Sequence, residues 1–259
     1  MTSENAILMK NVSFSYSPSQ QDEIVKNLNF ASKQGEFVCL LGPSGCGKTT
    51  VLKLLAGFQT ANSGSITVNG APVQRPGKDR AVVFQGDDSL FDWLTARENV
   101  AFGLRMQGMT RDEYAPIAAR YLKMVGLADH GHKYPRQLSG GMRQRIQIAR
   151  VLANNPNILL MDEPFGALDA QTRTELQDEL MNIWSQTRKT VLFITHDIAE
   201  AIVLSDRIGI MSAGPGSRIK ELIEVDLPRP RLRSNQRFGE LYDQIGKLIH
   251  DQVKVKQAS

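Results

Sequence analysis

The sequence predicts an α/β protein: a mixed central sheet with an antiparallel β sub-domain near the start and a helical sub-domain inserted in the middle. Three patterns carry this. In the second half, strand-length apolar runs alternate with helix-length periodic stretches. Residues 158–161 are followed by a helix bearing Leu176, Leu180, Ile183 and Trp184, then by 191–194, then by a helix opening at Asp197. That alternation marks parallel strands joined by helical crossovers. In the first third, Ser65-Ile66-Thr67-Val68 runs into Asn69-Gly70. This is a hairpin signal, because both turn residues must accept positive φ. In the middle, about 88–154, Thr95-Ala96-Arg97-Glu98 and Thr110-Arg111-Asp112-Glu113 each fit a capping box before a helix.

The elements follow in order. Ile7, Met9, Val12 and Phe14 sit among polar residues roughly as on a half-buried strand. Residues 37–41 are a short apolar run suited to a fully buried parallel strand. A helix with Val51, Leu52, Leu54 and Leu55 follows and ends at Gly57. The second capped helix of the middle region would carry Tyr114, Ile117, Ala118, Tyr121, Leu122 and Val125 on one face and stop at Gly126. Pro116 lies inside it and works against its first turns. A last amphipathic helix, about 235–250, points Phe238, Leu241, Ile245 and Leu248 inward.

Composition narrows the class. With 259 residues, 41% hydrophobic and 22% charged, the chain can bury a proper core. No apolar run approaches the ~18 residues of a membrane span. The opening segment lacks a basic stretch followed by a long apolar one, so no secretory leader is expected. The two cysteines, Cys39 and Cys46, are too few for a disulfide framework or a four-cysteine zinc site, and the cytosol is the expected compartment. Lys plus Arg (31) less Asp plus Glu (27) leaves +4. An excess so mild permits nucleic acid or an anionic membrane surface as a neighbour and argues for neither. Part of it lies in Arg229, Arg231, Arg233 and Arg237, which read as a solvated tail face ahead of a lipid-headgroup contact.

Gly42-Pro43-Ser44-Gly45-Cys46-Gly47-Lys48-Thr49 fits G-x-x-x-x-G-K-[ST], set between the 37–41 strand and the following helix. Glycines let the backbone curl so that several N–H groups face one phosphate, and the helix start adds partial positive charge. Lys48 would reach the β- and γ-phosphates, and the Thr49 hydroxyl would bind Mg²⁺. Thr50 continues the segment as a further nucleotide contact. Cys46 reads as a small loop residue rather than a redox switch, although Lys48 beside it could lower its pKa.

Ile158-Leu159-Leu160-Met161-Asp162-Glu163 is an apolar strand ending in two acids. Adjacent carboxylates at a buried strand end are costly unless something uses them. With the P-loop expected on the neighbouring strand, Mg²⁺·ATP is the natural user. Asp162 would hold Mg²⁺ through its shell, and Glu163 would polarise the attacking water as general base.

Leu138-Ser139-Gly140-Gly141-Met142 then resembles the signature motif of the ATP-binding cassette (ABC) family, standing shortly before the Asp-Glu strand as it does there. Tyr16 looks like that family's adenine-stacking aromatic. Gln85, after the strand 80–84, looks like the Q-loop glutamine, which also approaches the metal. Ala167-Leu168-Asp169 looks like the D-loop, and His196, after 191–194, like the switch histidine. Each alone has a plainer reading, Tyr16 as a half-buried strand residue and His196 as a core or helix-start residue. Their order around the P-loop moves them to functional roles. The resemblance covers about 7–212 and implies the ABC ATPase type of P-loop fold: a cassette domain over 1–233, with its helical sub-domain at about 88–154, and a C-terminal helix and tail over 234–259.

The resemblance also implies partners. Ser139-Gly140-Gly141 opens a helix whose exposed N–H groups form a second anion site. The family's solution is a head-to-tail homodimer with two ATP molecules, each held by one P-loop and the opposite signature. Met142 stands where many members carry glutamine, and Gly166 where serine is common. Dimer closing and opening would drive integral membrane permease subunits. Leu90, Phe91, Trp93 and Leu94 supply either apolar contact area for them or internal packing. Val225-Asp226-Leu227-Pro228-Arg229-Pro230-Arg231 looks like the importer ATPases for nitrate, sulfonates and taurine, which act at the cytoplasmic face of the inner membrane alongside an extracytoplasmic solute-binding protein. The competing class is a soluble ABC-type ATPase acting on nucleic acid, ribosomes or cluster assembly. It is disfavoured by the absence of a coiled-coil insertion, a second cassette or a zinc-ligand cysteine set.

Overall fold

The computed structural model describes residues 5–17, 23–84, 89–166 and 168–257, the stretch 253–257 by its backbone only. In chain order the elements are β1 (Asn5–Phe14), β2 (Val25–Lys33), β3 (Phe37–Leu41), α1 (Lys48–Ala56), β4 (Ser63–Val68), β5 (Ala71–Pro72), β6 (Arg80–Val83), α2 (Ala96–Met106), α3 (Arg111–Met124), α4 (Gly140–Ala153), β7 (Ile158–Asp162), α5 (Ala170–Thr187), β8 (Thr190–Ile194), α6 (Ile198–Leu204), β9 (Arg207–Met211), β10 (Ile219–Glu224) and α7 (Gln236–Gln257). They fall into two units. The first holds residues 1–80, 158–162 and 188–259, and the second 81–157 and 163–187.

The first unit carries two sheets. One is antiparallel, in the order β2-β1-β4-β5. Its β4–β5 hairpin turns through Asn69 and Gly70, both at positive φ, as the dipeptide predicts. The other runs β10-β9-β3-β8-β7, with β6 starting at its edge. In it β9, β3, β8 and β7 are parallel, and β10 pairs antiparallel with β9. Every residue of β3, β7 and β8 is buried, which explains why these strands read as unbroken apolar runs.

One expectation is corrected here. The P-loop strand and the Asp-Glu strand are not neighbours, because β8 lies between β3 and β7. A crossover skips a place in the sheet, and an apolar run does not reveal which partner it takes.

The second unit is mainly helical. Both capping boxes form: the Thr95 hydroxyl accepts from the Glu98 N–H, and Glu113 accepts from the Thr110 N–H at 2.7 Å. The helix α3 holds despite Pro116, which is exposed, and buries Ala118, Tyr121 and Leu122. Buried Asn99 ties the preceding loop to α2 by donating to the carbonyls of Phe91 and Leu94. The apolar stretch ahead of α2 splits. Leu90 is buried, Phe91 packs on Phe102, and Trp93 is 72% exposed. Helix α5 buries Leu176, Leu180, Ile183 and Trp184, as its spacing predicts.

The tail brings a second correction. The arginines expected on a solvated face include Arg231, which is only 8% exposed, and Arg229, which pairs with Asp206. Arg233 and Arg237 are exposed.

Candidate nucleotide site

The carboxyl edge of the parallel strands gathers the first unit's candidate residues. Ile194, at the end of β8, is in register with Leu40 on one side and Asp162 on the other. The loop after β3, His196 after β8, and Asp162 at the end of β7 therefore sit along one edge. In open α/β sheets this is the edge where ligands bind.

The loop from Gly42 to Gly47 turns on glycines at positive φ, Gly45 (76°) and Gly47 (91°). A Cβ on Gly42 would lie 2.9 Å from Cys46 Sγ and 3.0 Å from Met211 Cβ, so β9 packs directly behind the cradle. Pro43 and Ser44 complete the curve, and Thr50 is buried in the first turn of α1. The Lys48 ammonium folds back into the loop, donating to the carbonyls of Gly42 (2.8 Å) and Pro43 (3.1 Å). Sequence reasoning missed Ser217. Its buried hydroxyl bonds the Cys46 carbonyl across 171 residues of chain, and no local pattern announces it.

Thr49 Oγ1 donates to Asp162 Oδ1 at 3.2 Å, with Asp162 8% exposed. A hydroxyl and a carboxylate so placed are two hard oxygen donors, the set that suits Mg²⁺ held partly by protein and partly by water and phosphate. Tyr16 follows β1, 56% exposed, its ring perpendicular to that of Phe14 with the centroids 4.8 Å apart. An exposed aromatic braced in this way presents a face for stacking. His196 is exposed, and Asp197 after it caps α6 by accepting from the Glu200 N–H. Burial pushes both thiols up, Cys39 strongly, and outweighs the pull of Lys48 on Cys46. Cys46 is thus a packed loop residue, as expected.

The second unit holds the rest. Ser139 is the N-cap of α4, its hydroxyl accepting from the Met142 N–H at 3.3 Å. Gly140 and Gly141 form the first turn, and a Cβ on Gly141 would come within 2.7 Å of Thr172 Cγ2. Asp169 accepts from the Thr172 N–H at 3.0 Å, which holds its carboxyl below the usual range. The first turn of α4 and the Asp169 carboxyl thus meet at Thr172. Glu163 has φ 43°, an uncommon conformation for a non-glycine residue that tends to mark functional sites. Gln85 and Ala167 lie outside the described residues.

A phosphate cradle between a buried parallel strand and a helix, with a hydroxyl–carboxylate pair at its rim, defines a P-loop nucleotide-binding protein. The chain matches the family described as "ABC transporter" over residues 25–166 and belongs to that family. It is 49% identical over 227 residues to an uncharacterized ABC transporter ATP-binding protein of Methanocaldococcus jannaschii, covering 88% of this chain and 84% of that one. It is 48% identical over 211 residues to the nitrate import ATP-binding protein NrtD of Synechococcus elongatus, covering 81% of this chain and 77% of that one. Among solved structures, a dimeric post-hydrolysis state of the ATP-binding cassette MJ0796 bound to ADP and Pi aligns with TM-score 0.74 at 32% identity, over 86% of this chain and 100% of that one. The protein is an ATP-hydrolysing ABC transporter subunit. No helix among the described residues is long and apolar enough to cross a membrane.

Proposed function

We propose that the chain is the ATPase subunit of an ABC importer for a small solute of the nitrate, sulfonate or taurine kind. Two copies share two ATP sites, and each pair works on integral membrane permease subunits at the cytoplasmic face of the inner membrane. A solute-binding protein delivers cargo from the other side, and nucleic acid has no part. The cassette takes in residues 1–233, with the helical sub-domain at about 88–154 and a separate terminal helix and tail over 234–259. The likeness to a nitrate-import ATPase supports the solute class, and the exposed Trp93 supports a permease contact.

In this reading Lys48 leaves the Gly42 and Pro43 carbonyls for the β- and γ-phosphates, while the N–H groups from Gly42 to Thr50 cradle them. Tyr16 stacks on adenine. Thr49, Asp162 and Gln85 hold Mg²⁺, which would neutralise phosphate charge. Glu163 takes the proton of the attacking water, and His196 and Gln85 align the γ-phosphate and that water. Ser139, Gly140, Gly141 and Asp169 meet the nucleotide bound by the partner copy. The observation that carries the reading is the 3.2 Å Thr49–Asp162 contact on the strand edge shared with His196. The test is affinity purification of the tagged chain from detergent-solubilised membranes, followed by ATP-dependent nitrate uptake in reconstituted vesicles. Recovery of a multi-span subunit supports it. A chain that stays soluble, with ATPase stimulated by DNA, overturns it.

A further inference from the structure

The segment after β10 is pinned to the carboxyl end of α6. Arg231 Nη1 donates to the Ile202 carbonyl at 2.6 Å and to that of Ser205. Its Nε donates to Leu227 at 3.0 Å and its Nη2 to Val225 at 3.2 Å. Arg229 Nη2 donates to the Leu204 carbonyl at 2.7 Å, and its other arm pairs with Asp206. These guanidiniums collect the carbonyls that a helix end leaves without internal partners. They also place positive charge at the negative end of the helix dipole. Burial pulls Arg231 down to about 10, and Arg229 adds to the effect, yet it remains protonated at neutral pH.

The pinned helix is short. With 7 residues, α6 spans about 10 Å at ~1.5 Å per residue. Its far end is Asp197, directly after His196, and the Asp197 N–H is itself tied to Thr195 Oγ1 at 3.0 Å. Helix α7 packs on the same element. Asp206, the partner of Arg229, also accepts from the Phe37 N–H at 2.9 Å, where the P-loop strand begins. One cluster of tail arginines therefore holds both the helix that opens at His196 and the base of the strand that opens the phosphate loop.

We propose that Arg231, assisted by Arg229, is a positioning residue for His196: by fixing the carboxyl end of α6 it sets where the imidazole stands. The proposal rests on the reading of His196 as a group that aligns the γ-phosphate. A tail that merely braces the fold has no reason to move that imidazole while nucleotide binding stays normal.

The test uses the whole chain and its variant Arg231→Lys, which keeps the charge and stem but loses the planar fork of donors. The chain has four histidines, so ring NMR signals can be assigned with His196→Ala. The expected result is a shift of the His196 ring signals while those of His130 and His132, in the other unit, stay in place. ATP turnover should fall roughly tenfold, since small misplacements of a reacting group cost up to ~100-fold. The KM for ATP should hold within about twofold, as expected when only a transition-state interaction is lost. Unshifted His196 signals, unchanged turnover, or a loss carried by KM each overturns the proposal. Should Arg231→Lys not fold, Arg229→Lys is read by the same criteria. Normal turnover in His196→Ala would instead refute the reading of His196, whatever the ring signals do.

Discussion

Thr49 Oγ1 stands 3.2 Å from Asp162 Oδ1, although the two residues are 113 apart in sequence. The contact joins the first turn of α1 to the end of β7 across an intervening strand. If this pair holds the metal, Asp162→Asn should abolish the gain in nucleotide affinity that Mg²⁺ provides. Affinity without metal should change little. Titration calorimetry with and without Mg²⁺ checks this, and an unaltered metal dependence would remove Asp162 from the role.

Lys48→Ala should weaken ATP binding by about tenfold or more, because a charge-assisted contact to phosphate is worth ~1.5–3 kcal/mol. The fold should survive, since α1 and β3 keep their buried apolar residues and only the two carbonyl contacts of the Lys48 ammonium are lost. Unchanged affinity would contradict the P-loop assignment.

Glu163→Gln should cut turnover by ~100-fold or more, the usual worth of a general base. ATP binding should persist, so ATP-bound dimers accumulate and are visible by light scattering. Near-normal hydrolysis would remove Glu163 as base.

Ser139→Arg should block ATP-dependent dimer formation by placing a bulky cation at the start of α4. Nucleotide binding to single copies should remain. Persistent dimers on size exclusion with a non-hydrolysable analogue would end the shared-site reading.

The cap of α2 predicts a pH effect. The Thr95 backbone N–H and hydroxyl hold the Glu98 carboxyl below the usual range. A carboxyl with a lowered folded-state pKa adds stability above its unfolded value and loses it as pH falls through the folded one. The Tm gap between the unaltered protein and Glu98→Gln should therefore be present at neutral pH and close in acid. Thr95→Ala should cost about 1 kcal/mol. A gap that widened in acid would refute the cap as its source.

Local chemistry was legible where one short stretch carries the whole instruction. The Asn69-Gly70 turn, both capping boxes, the buried runs of β3, β7 and β8, and the glycine-lined loop before Lys48 all formed where their residues predict. Strands β2, β9 and β10 carry no such local instruction. Lys26 and Asn27 together break the alternation of β2, Gly209 sits inside β9, and Lys220 and Glu221 sit inside β10. Each becomes a strand because a neighbouring strand offers it a ladder, a property of the partner and not of the segment.

The amino-acid sequence by itself determined the kind of chemistry: a phosphate cradle, two acids at a strand end, and a capped glycine turn in the order of an ABC ATPase. Only the tertiary structure decided that β8 runs between the cradle strand and the acid strand, that Ser217 holds the loop from behind, and that Arg231 is buried at the end of α6. The physical reason is range. Turns, caps and helical faces are set by residues a few positions apart. The order of β3, β8 and β7 and the bonds of Arg231 to the end of α6 join groups more than 20 residues apart, which come together only when the core closes.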